Sequence, residues 1–262
     1  MKTDVEGNEY MDIQVRHPLV KISTFGITQL KQQNPYMVAW WSAVFPGFGH
    51  YLLNQYTRAT FLTLGEVFLN TLAHINEAMI YSFCGHFDRA TLVLEPRWAL
   101  GYLTIYLVAI ADSFRSAIYQ NKLYHLAILE HKKTPRMEIF PSEIQYIERK
   151  SPIVGALYSF FFPGLGQLYN HRFGLAFYGM FWWWVYMSLS KVHHAFLVLV
   201  HGHLHESTTL LHPHWLLFMP SVLGGAVYHA YRTSVEHNHL FRIEQRRYLT
   251  KKYQHAKLQI FP

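Results

Sequence analysis

Glu66, Asn70, His74 and Glu77 follow one another at intervals of four, four and three residues inside the otherwise apolar stretch Thr60–Phe83. On a continuous helix such spacing puts all four on one face. With a helix beginning near Thr57, Glu66 falls roughly 13 Å along it at about 1.5 Å per residue, close to the middle of a bilayer-length segment. An ionisable side chain there is a candidate for a proton or cation pathway. The plainer reading is a Glu66 kept neutral or paired inside a helix bundle. A second group comprises His201, His203, His205, His212 and His214, with Glu206 beside them. Imidazoles in that number can hold zinc, nickel or copper, but His201-Gly-His203-Leu-His205 lacks the His-Glu-x-x-His spacing of a helical zinc site. A histidine loop that changes charge with pH is the alternative. A third group is Asp112 and Arg115, three residues apart and able to pair on a helix. With Arg232 they suit headgroup or partner docking, or simple anchoring of a helix end.

Composition says what kind of elements must position these groups. Of 262 residues, 51% are apolar, 17% aromatic and only 15% charged, against roughly a quarter charged in an ordinary soluble domain. The apolar residues are gathered in long runs and the charges lie between and after them, which points to a membrane protein. One cysteine, Cys84, excludes an internal disulfide framework and any Cys-x-x-Cys site. The net charge of +7 sits where basic residues flank apolar segments, as on the cytoplasmic side of a bilayer, so no nucleic-acid partner is expected. No cleavable signal peptide is expected either, since Met1 to Gln33 contains Asp4, Glu6, Glu9 and Asp12 and has no apolar core. Phosphate-binding lysine loops, nucleophile elbows and dinucleotide fingerprints are missing, so no enzyme activity is expected.

The chain repeats itself. Ser42-Ala-Val-Phe-Pro46-Gly47-Phe-Gly49 returns as Ser159-Phe-Phe-Phe-Pro163-Gly164-Leu-Gly166, Pro163 lying 117 residues after Pro46. The same offset, without a gap, matches Pro35 to Pro152, Gly85-His86 to Gly202-His203, Trp98 to Trp215, Arg115 to Arg232 and Asn121 to Asn238, with about twenty identities in roughly ninety positions. The expected organisation is a polar N-terminal segment 1–33, membrane repeat 1 over 34–125, a basic connector 126–150, membrane repeat 2 over 151–242 and a basic tail 243–262. Each repeat has a short apolar segment (Tyr36–Phe45, Ile153–Phe162), a long one (Thr60–Phe83, Phe173–Val200) and a third (Trp98–Ser116, Trp215–Tyr231). The short segments are well below the ~20 residues needed to span. Pro46, Gly47 and Gly49, with Pro163, Gly164 and Gly166, suit either a tight turn between closely packed helices or a broken helix lining a site.

The second copy continues from Gly166 as Gln167-Leu-Tyr169-Asn170 and ends in Ala230-Tyr231-Arg232-Thr233 with Asn238. This pattern resembles an uncharacterised group of bacterial multi-pass membrane proteins with a PGxGQxYN segment and a DxxR tail, distantly similar to the TM-two domain superfamily. The resemblance covers most of both copies and implies a bacterial multi-pass plasma-membrane protein, without implying a chemistry. The first copy departs from it with His50-Tyr51-Leu52-Leu53, and the second has His229 where the first keeps Asp112, so a mechanism needing two equivalent acids does not fit.

The expectation is an all-α polytopic membrane helical bundle of two fused repeats, each with one short or re-entrant segment and two spans. The basic connector and tail place both on the cytoplasmic side, which favours parallel copies; three crossings per copy would invert them. Trp40, Trp41, Trp98, Trp182–Trp184 and Trp215 supply interfacial anchors. The expected partners are the bilayer, its anionic headgroups and a membrane-protein partner or a second copy. The expected cofactor is none, apart from a divalent metal if the histidine loop binds one. A non-enzymatic scaffold or accessory subunit is the leading function, and a small cation or proton transporter using the Glu66 stripe is its rival.

Overall fold

Asn34-Pro35 is a strong helix start: the Asn34 side chain accepts hydrogen bonds from the amides of Tyr36 and Met37, and Pro35 occupies the first turn, where no amide hydrogen is needed. In the computed structural model, which describes residues 19–23, 26–130, 137–139 and 148–253, this signal opens a chain that is mostly helical. Before it stand two short strands, β1 (Val20–Ser23) and β2 (Gly26–Gln29). The first copy then comprises α1 (Pro35–Val44), α2 (Phe48–Leu52), α3 (Tyr56–Ala73), α4 (Ile75–Phe83), α5 (Phe87–Val93) and α6 (Pro96–Glu130). After β3 (Met137–Ile139) come α7 (Pro152–Phe161), α8 (Leu165–Tyr169), α9 (Phe173–Ser190), α10 (Val192–Val200), α11 (Leu204–Leu210), α12 (Pro213–Leu216) and α13 (Phe218–Tyr253).

From α1 to α6, every helix starts 117 residues before its counterpart, α12 and α13 together answering α6. The left-handed backbone positions recur at the same interval: Gly47 and Gly164, Asn54 and His171, His74 and Lys191, Gly85 and Gly202. The ten-residue helices α1 and α7 match the short segments expected from the sequence. In the first copy the chain then turns back, because Gln33 Nε2 donates to the Leu52 carbonyl at 3.2 Å and so holds the end of α2 beside the residues that precede α1. In the second copy the Ser151 amide donates to Tyr169 Oη at 3.0 Å and makes the same return.

The glycines of the Pro-Gly-x-Gly corners make these hairpins possible. Gly47 has φ +100° and Gly164 has φ +108°, and a Cβ on them would lie 2.7 Å from the Ala59 carbonyl oxygen and 2.6 Å from the Ala176 carbonyl oxygen, respectively. Each corner is pressed against the first turns of the long helix that follows, and Gly49 and Gly166 are equally tight against the first helix of their own copy. Pro46 and Pro163 are fully buried.

Three features differ from the sequence expectation. Thr60–Phe83 and Phe173–Val200 are not continuous helices, since α3 ends in left-handed His74 and α9 in left-handed Lys191. The third segments do not stop where their apolar residues stop; α6 runs for 35 residues and α13 for 36, because the Glu, Gln, Lys and Arg that follow are good helix formers. Pro220 cannot donate to the Leu216 carbonyl and coincides with the break between α12 and α13, whereas the first copy has Leu103 there and α6 is unbroken. Finally, polar segments expected to be linkers contribute a small sheet of order β2-β1-β3, with β1 antiparallel to β2 and parallel to β3.

Among the described residues no single helix is long and apolar enough to cross a membrane; two bent pairs, Phe87–Val93 with Pro96–Leu129 and Leu204–Leu210 with Pro213–Tyr253, pass that test together. Gly47→Ala and Gly164→Ala are each expected to destabilise the fold, by roughly 1–2 kcal/mol for the left-handed backbone alone and more for the carbonyl clash. Thermal unfolding in detergent should show both midpoints lowered, while Gly65→Ala, where a Cβ meets nothing within 4 Å, should not be destabilising.

Candidate functional site

Glu66 lies on α3 with 4% of its surface exposed. Its Oε1 accepts from Asn70 Nδ2 and from Tyr102 Oη of α6, each at 3.1 Å, and its Oε2 is buried with no hydrogen-bond partner among the described residues. Asn70 does not continue to His74. The left-handed turn at His74 swings α4 round so that Asn76 meets Asn70 twice: the Asn76 amide donates to Asn70 Oδ1 at 3.1 Å, and Asn70 Nδ2 donates to Asn76 Oδ1 at 3.0 Å. Asn76 Nδ2 then donates to the carbonyl of His214 at 3.0 Å, and His214 Nε2 lies 3.1 Å from Thr71 Oγ1. A buried polar chain therefore runs from the middle of α3 into the second copy.

This corrects the expected stripe. Glu66 and Asn70 belong to it, but His74 and Glu77 do not: His74 Nδ1 faces Glu77 Oε2 at 3.4 Å, with half of the His74 side chain exposed. Asn76, Tyr102, Thr71 and His214 take their place. The helical periodicity that selected His74 and Glu77 assumes an unbroken helix, and no glycine or proline marks the break.

The histidine group does not converge. His201, His203, His205 and His212 are exposed, while His214 is buried against Thr71. His203 Nδ1 faces Glu206 Oε2 at 3.9 Å. Among the described residues no group of three or more His, Cys, Asp or Glu is placed to hold a metal ion.

Asp112 makes its bonds across helices and not along its own. Its Oδ2 accepts from Arg58 Nη1 of α3 at 3.0 Å and lies 3.0 Å from Nε2 of fully buried His50 on α2. Arg58 Nη1 also donates to Ser116 Oγ at 3.2 Å. Arg115 is exposed, so the pair expected within α6 is replaced by one that ties α2 and α3 to it. Arg232 is apart from this group and donates to Gln33 Oε1 at 3.3 Å. The corner residues Pro46, Gly47, Gly49, Pro163, Gly164 and Gly166 lie at close approaches between helices.

The repeated asparagines acquire a role that the sequence did not reveal. The Gln33 amide donates to Asn121 Oδ1 and Asn121 Nδ2 donates to the Gln33 carbonyl, both at 2.8 Å. The Lys150 amide and carbonyl make the same two bonds with Asn238, both at 2.7 Å. Each asparagine clasps the strand of chain entering its copy to the last long helix of that copy.

No family model, no curated protein and no solved structure matches this chain. Two outcomes are expected from the geometry. Glu66→Gln, which keeps an acceptor for Asn70 and Tyr102, should stay close to the parent in thermal stability, whereas Glu66→Leu leaves buried donors unsatisfied and should cost about 1–3 kcal/mol. Asn121→Ala and Asn238→Ala should lower the unfolding midpoint in detergent by similar amounts, as equivalent clasps would.

Proposed function

We propose that this chain is an integral membrane protein whose two copies lie side by side in the same orientation as a non-enzymatic scaffold or accessory subunit. The observation that carries the proposal is an inverted distribution of polarity. Phe61, Phe83, Leu92 and Phe161 are each at least 74% exposed, and many other large apolar side chains join them on the surface. Most of the largest fully buried side chains are instead small or polar: His50, Asn70, Asn170 and the serines Ser42, Ser113, Ser159, Ser190 and Ser234, with Val38, Pro46 and Pro163 beside them. In water each exposed Phe or Leu would forgo roughly 1.5–3 kcal/mol of burial. In lipid there is no such loss, and small and hydrogen-bonded residues are the ones that let helices pack.

The helix lengths are compatible with this reading. At about 1.5 Å per residue, the 18 residues of α3 and of α9 extend roughly 27 Å, near the ~30 Å of a hydrocarbon core. The chain of α9 carries Trp182, Trp183 and Trp184 together with Tyr178 and Tyr186, residues that favour the membrane interface and depress a hydropathy average. On this reading α1–α2 and α7–α8 are re-entrant hairpins, α3, α6, α9 and α13 cross, and the hairpin end, where the basic connector and tail emerge, is cytoplasmic. The resemblance to bacterial multi-pass proteins fits the same arrangement.

The transporter reading keeps one observation in its favour, the unpartnered Oε2 of Glu66. Against it, Glu66 is in the wall neither of the apolar cavity lined by Trp41, Phe48, Tyr178 and Val222 nor of the cavity lined by Lys31, Gln33, Arg232 and Glu236. Cys84 is the single thiol and is exposed at the end opposite the hairpins. An impermeant maleimide should label it on intact bacterial cells, and Arg242→Cys in a Cys84→Ser background should be labelled only after permeabilisation. Recovery of the chain in the soluble fraction, or labelling of Cys84 only after lysis, would overturn the proposal. Proteoliposomes of the parent should show no proton flux; flux that Glu66→Gln abolishes would replace the scaffold by the transporter.

A further inference from the structure

Between the copies at the hairpin end lies a polar cavity of about 230 Å³ walled by Lys31, Gln33, Asn34, Leu52, Arg232 and Glu236. It has space for a tetrahedral oxyanion together with some water, given the ~30 Å³ that a water occupies in the liquid. Two cations and one carboxylate line it. That carboxylate is shared: Glu236 Oε1 accepts from Lys31 Nζ, and its Oε2 lies 3.7 Å from Nη2 of buried Arg172. The balance facing the cavity is therefore positive, and Arg232 donates a long bond of 3.3 Å to neutral Gln33. Asn34, Met37 and Val38 at the start of α1 also wall this space, but the amides of that turn already bond to Asn34, so the cations carry the attraction.

The duplication singles this place out. The counterpart of Lys31 is Glu148, that of Gln33 is Lys150 and that of Glu236 is Tyr119. In the second copy Lys150 pairs with Glu148 and closes its charge locally. In the first, the cation reaches across to the other copy and stands beside a second one. Lys31 and Glu236, which face each other in this wall, are thus both departures from the repeat, whereas Arg232 is matched by Arg115. Burial holds the Lys31 ammonium below its usual pKa, with Arg232 and Arg172 pushing the same way against the pull of Glu236. An anion in the cavity would relieve that repulsion.

We infer that this cavity is a binding site for a phosphate-class oxyanion, held by Lys31 and Arg232. The phosphate is either that of an anionic phospholipid headgroup or that of a soluble phosphate ester. Only the lipid source rests on the membrane proposal, since the site itself is a property of the folded chain.

The test uses the full chain in nonionic detergent and follows its thermal midpoint as inorganic phosphate is raised to millimolar levels, with ionic strength held constant by sodium chloride. In parallel, retention of phosphatidylglycerol is followed by native mass spectrometry after extraction from phosphatidylglycerol–phosphatidylcholine nanodiscs. The expected result is a saturable midpoint shift, retained lipid, or both, with apparent affinity weakened about tenfold or more in Lys31→Gln and Arg232→Gln, the scale of a lost charge-assisted hydrogen bond. Arg246→Gln, on the basic tail and outside the cavity, should behave as the parent. Glu236→Gln removes the competing carboxylate and should tighten binding several-fold, a gain that damage to the fold does not mimic. Lipid retention without a phosphate shift identifies the headgroup as the source, and a phosphate shift without retained lipid identifies a soluble ester. Phosphate and lipid responses that are absent, or that are unchanged in all three cavity variants, overturn the inference. Neither outcome bears on membrane insertion, which the Cys84 labelling reads separately.

Discussion

A glycine in the left-handed region pressed against the carbonyl of an alanine is the contact on which each copy depends. At Gly47 and Gly164 the chain must reverse after a ten-residue helix while the next long helix passes within contact distance of the corner. A side chain there would occupy the space of a backbone oxygen, which cannot yield as a flexible side chain can. Ala59 and Ala176, both fully buried, keep the other side of the contact small. Once the corner closes, α2 and α8 return beside the start of their own hairpins, and Gln33 and Lys150 are delivered to the asparagines that clasp them. The polar cavity at that end stands on this geometry, since Gln33, Asn34 and Leu52 in its wall are placed by the hairpin.

What the duplication preserves is the backbone, and what it lets go is the polar interior. The helix starts, the four left-handed positions and the asparagine clasps recur. The site of Glu66, by contrast, is filled in the second copy by Trp183, which packs with Tyr186, Phe218 and Val222. His50, bonded to Asp112 in the first copy, is answered by Gln167, which accepts from Ser159 and donates to the Ala226 carbonyl. Equivalent spaces are thus satisfied by an acid-centred network on one side and by aromatic or amide groups on the other. Similar helix geometry survives because the small residues at the close approaches are shared, as at Ala59 and Ala176, while the larger neighbours are free to change together.

Much of this architecture is legible in the sequence wherever proline and glycine punctuate it. Pro35, Pro46-Gly47, Gly85 and Pro96 recur in the second copy and mark the starts of α1, α2, α5 and α6 to within two residues. Breaks made by other residues are not legible: His74 and Lys191 carry side chains that ordinarily disfavour φ near +55°, and an apolar run continues past each. That hidden break turned a four-residue stripe into a network in which only Glu66 and Asn70 were foreseen. The partners of the network, Tyr102 and His214, come from sequence-distant helices, and such pairings leave no trace in local spacing. The same holds for Lys31 and Glu236, which lie 205 residues apart. The three-stranded sheet escaped for another reason: Val20-Lys21-Ile22-Ser23 and Met137-Glu138-Ile139 do alternate apolar and polar residues, but such short runs do not distinguish a strand from a loop.

The way the copies are joined bears on the choice between scaffold and carrier. A carrier that alternates between two faces by rocking one repeat against the other needs an interface that can open at either end. Here one end is held by Asn76 and Thr71 to His214, and the other by Arg172 to Asn54 and by Lys31 to Glu236. Between them Trp41 stacks on Tyr228 with ring centroids 4.7 Å apart, and Phe48 fills the notch left by Gly225, where a Cβ would collide with its ring. Opening either end would break these contacts, at about 1–3 kcal/mol for each buried polar group left unsatisfied, and would also pull the aromatic ring from its notch. Several such terms at each end favour a single packed arrangement of the two copies. On the proposed scaffold reading, Glu66, bonded to Asn70 and Tyr102 of its own copy and outside the two cavities between the copies, anchors the polar chain that reaches His214 and is a strut, not a stop on a transport path.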